Sequence, residues 1–166
     1  MGLAPGFHGA NATGRPFTGD HAGLLLYRTL HEFGWSTAPE SQHRDDGLQL
    51  VGARITNAVK CVPPGNKPTP AEIRQCNGYL VAELSALASV RVILALGGIA
   101  HGAVLRALGL RARDFAFAHA GEHAFPGSRT LLDSYHCSRY NTQTRRLTPA
   151  MFRQIFERIA VLCGGA

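Results

Sequence analysis

The run Val90-Arg91-Val92-Ile93-Leu94-Ala95-Leu96, ending in Gly97-Gly98, most constrains the fold. It is almost wholly apolar, as a strand buried on both faces must be, and such strands belong to parallel sheets covered by helices. A helix from 99 to 108 follows it. Similar strand candidates lie at Ala53-Arg54-Ile55-Thr56-Asn57-Ala58-Val59 and at Leu131-Leu132-Asp133-Ser134-Tyr135. Helical spacing appears in Ala22, Leu25, Leu26, Leu30 and Phe33 after Asp20, and in Ile73, Cys76, Leu80, Leu84 and Leu87 after Thr69-Pro70. It recurs in Phe152, Ile155, Phe156, Ile159 and Leu162 after Thr148-Pro149. Strands alternating with helices predict an α/β domain of three layers, α/β/α, around a central and mostly parallel sheet. In such sheets the site lies beyond the carboxyl ends of the strands, where Asn57, Gly97-Gly98 and His136 fall.

A chain of 166 residues, 45% hydrophobic and 17% charged, fits one globular domain spanning 1–166. No apolar run reaches the roughly 20 residues of a membrane span, and the first residues lack the charged head and apolar centre of a signal peptide. Cytoplasmic location and a monomer are the expectations. Lys and Arg number 17 against 11 Asp and Glu, for a net charge of +6. Only Lys60 and Lys67 are lysine, so Arg carries the charge; this is compatible with phosphate binding and equally with a GC-rich genome.

The segment from Gly2 to Gly19 is too rich in glycine and proline for a regular element and reads as a shaped loop. The polar stretch from Thr37 to Gly47 reads as a surface loop. His119 and His123 stand at the i, i+4 spacing of a helical metal pair, but no third ligand is obvious. Read singly, Phe17 is an ordinary core residue, Asn57 a structural amide, His136 a structural imidazole and His101 a packing residue. Asp20 reads first as a helix cap. Cys61 and Cys76 read either as metal-binding thiols or as a buried pair.

The joint pattern changes that weighing. Gly2-Leu3-Ala4-Pro5-Gly6, Arg15-Pro16-Phe17-Thr18-Gly19-Asp20, the strand end at Asn57 and His136-Cys137-Ser138-Arg139 resemble, in order, the motifs of uracil-DNA glycosylases. Gly9-Ala10-Asn11, Thr56 to Pro68 and Asn141-Thr142-Gln143-Thr144 are similar to family five, the iron–sulfur branch, and the similarity runs over nearly the whole chain. The resemblance implies a four-stranded, mostly parallel sheet and an enzyme that removes uracil, and by extension other deaminated bases such as hypoxanthine, from DNA. Enzymes of this kind extrude the base into a small pocket.

In the roles so implied, Phe17 stacks on uracil. The Asn57 amide reads its Watson–Crick edge, and His136 donates to O2 as the base leaves as an anion. The first motif carries no carboxylate, so Asn11 is the candidate for holding the attacking water. Ser138, Arg139 and Asn141 would contact DNA. Proline is usual where Cys137 stands, and its loss predicts a softer loop.

Cys61 and Cys76 would be two of the four ligands of a 4Fe-4S cluster. The other two cysteines, with most of the first strand, are expected upstream of Gly2, so the chain reads as truncated. A DNA-binding remnant without chemistry is the alternative. A flavodoxin-like enzyme holding phosphate at Gly97-Gly98 ranks below both, because it leaves the first and last motifs unexplained.

Overall fold

The computed structural model describes residues 1–125 and 129–164. Helix α1 (Ala10–Thr13) is a single turn inside the opening loop, and α2 (His21–Glu32) follows it. Helix α2 buries Ala22, Leu26, Tyr27 and Leu30, and stops where Gly34 takes a φ of 74°. Helix α3 (Pro70–Ala86) opens with a complete capping box. The Glu72 N–H donates to Thr69 Oγ1 at 3.2 Å, and the Thr69 N–H donates to Glu72 Oε2 at 2.6 Å. Pro70 at the first position has no N–H to leave unpaired.

Strand β1 (Val92–Leu96) leads through Gly97 into α4 (Gly98–Ala107). Strands β2 (Glu122–Phe125) and β3 (Arg129–Ser134) follow, then the short α5 (Arg139–Gln143) and α6 (Pro149–Leu162). The sheet has the order β1-β3-β2, with β1 parallel to β3 and β2 antiparallel to it.

Period-two alternation sorts the side chains of this sheet into two cores. Leu96 and Leu132 face α2 and α6, where they meet Leu26, Tyr27, Leu30, Phe152, Phe156 and Ile159. Ile93, Ala95 and Leu131 face α3 and α4, against Leu80, Leu84, Ala100, Val104 and Leu105. The three-layer expectation therefore holds. The four-stranded sheet does not: the described residues form three strands, and one of those is antiparallel.

Two differences account for this. The segment 53–59 is extended but makes only one isolated parallel bridge, Gly2 with Asn57. Among the described residues its partner is Met1 to Leu3, after which the chain enters the glycine-rich loop. The bonds that do form are Gly2 N–H to Thr56 O, Ala58 N–H to Gly2 O and Val59 N–H to Leu3 O, each 2.9 Å, with Leu96 N–H to Met1 O on the other side. The second difference is β2, where exposure alternates along Glu122, His123, Ala124 and Phe125. That is the pattern of an edge strand, so the helical spacing of His119 and His123 has no helix beneath it. Among the described residues no helix is long and apolar enough to cross a membrane.

Phe152 is fully buried with its ring centroid 5.0 Å from that of Phe156. Truncation to Ala is expected to cost about 3–5 kcal/mol in denaturant unfolding. Val161→Ala on the exposed face of the same helix should change stability by about 0.5 kcal/mol or less.

Candidate active site

A cavity of about 420 Å³ opens at the carboxyl end of the sheet. Phe17, Asn57 and His136, named together from the sequence, line it together, with Ser138 and Arg139 at its wall. Glycines make this convergence possible. A Cβ on Gly2 would lie 2.5 Å from the Phe17 ring and 2.6 Å from Asn57 Oδ1, so only glycine lets the first loop close over both. Gly23 on α2 plays the matching part below, where a Cβ would lie 2.1 Å from the Phe17 carbonyl oxygen. Phe17 itself is held at a φ of 63°, in the left-handed region, a strain of about 1–3 kcal/mol for a bulky residue. Such strain persists only where the surroundings over-determine it. The result is a ring fixed 6.0 Å from the His136 ring and tilted 32° to it.

Asn57 ends the segment that lies on α3. Lys60 Nζ donates to Glu83 Oε2 at 2.9 Å and to Thr56 Oγ1 at 2.8 Å, and Thr56 Oγ1 donates to Glu83 Oε2 at 2.8 Å. Desolvation, which would raise the Glu83 carboxyl, is overcome by Lys60 and Thr56, which hold it below its ordinary range. The network clamps the backbone on either side of Asn57. Its side-chain Oδ1 is buried and accepts no hydrogen bond from the described residues. Such an orphan acceptor costs about 1–3 kcal/mol and calls for a donor that arrives from outside.

His136 follows β3 by two residues and packs beside Gly97, whose Cβ would lie 3.6 Å from that of His136. The Gly97-Gly98 turn therefore backs the imidazole, and its part in the site is packing. Burial, with a smaller contribution from the Met1 amino group, pushes the His136 pKa down to about 4, so the ring is neutral near pH 7. Asn141 Nδ2 donates to the His136 backbone oxygen at 2.8 Å. This residue, expected to touch DNA, spends its amide holding the loop. Ser138 caps α5 by accepting from Asn141 N–H at 3.4 Å. Arg139 is exposed at the rim. Cys137, where proline is usual, is fully buried in the α2–α6 core, and burial pushes its thiol up to about 12. A packed side chain thus anchors the loop where proline would fix φ.

Asp20 and Asn11 depart from expectation. Asp20 occupies the cap position of α2 but makes no side-chain cap hydrogen bond. Its carboxylate turns into the cavity against two glycines, where a Cβ on Gly6 would lie 2.6 Å and one on Gly9 2.2 Å from Oδ1. Desolvation raises its pKa. Asn11 is exposed on α1 and does not line the cavity. Asn66, unmarked in the sequence reading, does line it, at a φ of 57°. No local pattern marks this turn of Asp20: Gly6 and Gly9, whose missing side chains leave room for one carboxylate, oppose it only in the folded loop.

Arg15 is engaged internally. It donates to Asp46 Oδ1 at 2.6 Å, Ser41 Oγ at 2.9 Å and Arg44 O at 2.8 Å, tying the 37–47 loop to the Phe17 turn. Cys61 is exposed and Cys76 half-buried, where its sulfur accepts from Lys60 N–H at 3.5 Å. No third His, Cys, Asp or Glu among the described residues joins them in a ligand group. Two thiolates fall short of the four an iron–sulfur cluster takes, so these residues alone do not fit that group.

The family model described as "Uracil DNA glycosylase superfamily" matches residues 1–160. The Type-5 uracil-DNA glycosylase of Thermus thermophilus is 52% identical over 99% of this chain and 74% of its own length. Those of Mycobacterium leprae and Pyrobaculum aerophilum are 46% and 42% identical, again over 99% of this chain, and over 72% and 71% of their own lengths. On these matches, and with its motifs gathered around one cavity, the chain belongs to the uracil-DNA glycosylase superfamily.

Proposed function

We propose that this protein is a uracil-DNA glycosylase that hydrolyses the N1–C1′ bond of deoxyuridine in DNA and leaves an abasic site. The observation that carries the reading is the Asn57 Oδ1, unpartnered among the described residues and buried beside a cavity large enough to admit a nucleobase, between an aromatic ring and a neutral imidazole. Uracil N3–H is the donor that acceptor lacks, and the Asn57 amide N–H can give to O4. Phe17 provides the stacking face. A DNA-binding remnant would not need to maintain an orphan acceptor and a strained Phe17 around an open cavity, so the catalytic reading is favoured.

The bond breaks with its electron pair on the base, which leaves as an anion delocalised over N1 and O2. A neutral His136 donates one N–H toward O2 and stabilises that charge without protonating the base outright. Water adds to the electron-poor C1′ and loses a proton. Asp20, desolvated and turned into the cavity, takes the water-positioning and proton-accepting role here in place of Asn11. Ser138 and Arg139 at the rim meet the DNA backbone and the gap left by the flipped nucleotide, while Asn141 positions His136. None of these steps uses a cysteine.

Cleavage of a uracil-containing oligonucleotide after alkali treatment tests the assignment. Asn57→Ala and His136→Ala are each expected to lower single-turnover rates by about 10²–10³-fold, and Asp20→Asn by about 10²–10⁴-fold. Folded Asn57→Ala and His136→Ala variants cleaving at the original rate would remove the base-pocket assignment. Asn11→Ala should leave the rate within a factor of about two of the original.

His136 also predicts a pH dependence of stability. Its pKa falls from 6.5 in the unfolded chain to about 4 when folded, so the unfolded state binds more protons between those values. The native state is therefore unpenalised above pH 6.5 and loses roughly 3 kcal/mol as pH falls to about 4. Urea midpoints at pH 4.5 and 7.5 should differ less in His136→Gln than in the original chain. An equal difference would show that burial of His136 does not set the acid sensitivity.

A further inference from the structure

On the α3–α4 side of the sheet, outside the base cavity, three side chains from three elements converge: His101 on α4, His123 on β2 and Asp133 on β3. One donor atom from each lies within 4.8 Å of the others. We propose that they bind one divalent transition-metal ion of the zinc class.

The hydrogen-bond accounting around His101 is the first argument. Its Nε2 lies 3.0 Å from the Phe115 carbonyl oxygen and its Nδ1 lies 2.8 Å from Asp133 Oδ1. Both neighbours are acceptors, whereas a neutral imidazole has one N–H to give. With that proton on Nε2 and donated to the carbonyl, the Nδ1 lone pair faces a carboxylate. A cation between them resolves the conflict, and a carbonyl fixing the outer N–H is the usual support for a ligating histidine.

The second argument is charge. Asp133 is fully buried, and among the described residues no Lys or Arg pairs with it; its only ion-pair partners are the two imidazoles. A buried carboxylate demands cationic compensation. His123 Nε2 approaches its other oxygen, Oδ2, at 3.2 Å. Zinc–ligand bonds near 2.0–2.1 Å give a tetrahedral edge of roughly 3.3 Å. The 2.8 Å His101–Asp133 spacing must open slightly, the 3.2 Å His123–Asp133 spacing already fits, and the remaining pair closes to that edge from at most 4.8 Å.

The surroundings suit an ion as well. Phe117 and Phe115 stand edge-on to His101 and His123, each at 5.7 Å, and keep the donor set dry. At Gly121 a Cβ would lie 2.9 Å from the Ala118 carbonyl oxygen, 3.2 Å from Asp133 Oδ2 and 3.5 Å from His123 Nε2, so any side chain there would crowd the donor set. Two imidazoles and one carboxylate favour zinc-class ions over calcium or magnesium, which take oxygen donors. His119, the partner the sequence spacing offered, points elsewhere: its Nδ1 accepts from Tyr135 N–H at 3.2 Å and its ring stacks on Tyr135. An ion here would pin the edge strand β2 to both α4 and β3.

Titration with Co²⁺ reads the donor set directly. It is done on the Cys61→Ser/Cys76→Ser variant, so that those thiolates cannot contribute. We expect one equivalent to give tetrahedral d–d bands in the visible without thiolate charge transfer in the near ultraviolet. Zn²⁺ should displace it, and at about a hundredfold excess over Kd should raise Tm by about 5 °C or more. In His123→Gln, which retains a donor for Asp133, the bands and the Tm rise should both vanish while the metal-free Tm stays close to the parent's. Absence of a one-to-one Co²⁺ spectrum in the parent variant would overturn the proposal in favour of a metal-free imidazolium–carboxylate pair. Full binding surviving in folded His123→Gln would overturn it too.

Discussion

The close approach of the first loop to Phe17 and Asn57 governs the rest of the site. With no Cβ at Gly2, the chain passes over the aromatic ring and the amide at distances that any side chain would close. The same residue exchanges backbone hydrogen bonds with Thr56 and Ala58, while Met1 beside it accepts from Leu96. The strip of chain that joins β1 to the Asn57 segment therefore also packs against the Phe17 ring and the Asn57 amide, and anything that displaced it would remove the support of both.

The site is less stable than its surroundings in several separate ways. Phe17 sits in the left-handed region, Asn57 leaves an acceptor unpaired, and His136 and Asp20 are both shifted toward their neutral forms by desolvation. The strained Phe17 backbone and the unpaired Asn57 acceptor each cost of the order of 1–3 kcal/mol, which is large against the net stability of a domain this size. The two cores on either face of the sheet offset them. Each local cost matches a need of the proposed reaction: a fixed stacking face, an acceptor waiting for a base, a neutral donor for a departing anion, and a proton acceptor kept from water.

What the sequence made legible follows the same physics. Buried strands and amphipathic helices are strong local patterns, so Val92–Leu96, the capping box at Thr69 and the apolar stripe of Pro149–Leu162 could be read directly. The cavity that Phe17, Asn57 and His136 line together was legible because ordered motifs carried the three residues. The failures were positions where a local pattern had two solutions. The segment 53–59 has strand composition, but a strand exists only if a partner runs beside it, and its partner ends at Leu3. Asp20 before a helix looks like a cap, and only the three-dimensional placement of Gly6 and Gly9 shows where its carboxylate turns. His119 and His123 fit a helical pair as well as an edge strand, and the spacing alone carries no information about which exists.

Strand β3 is where these threads meet. Its consecutive residues Leu131 and Leu132 enter opposite cores, and Asp133, buried on the α4 side, gathers His101 and His123. Ser134 closes the ladder to Gly97, and two residues further His136 enters the base cavity. A strand packed on both faces has little freedom to slide, because a one-residue slip would exchange every side chain between faces. The position of the imidazole is thus fixed by packing well behind it. The short loop after β3, with cysteine in place of proline, is tied at both of its first residues to a register already set by the sheet: Cys137 is buried in the core, and the Asn141 amide donates to the His136 carbonyl oxygen.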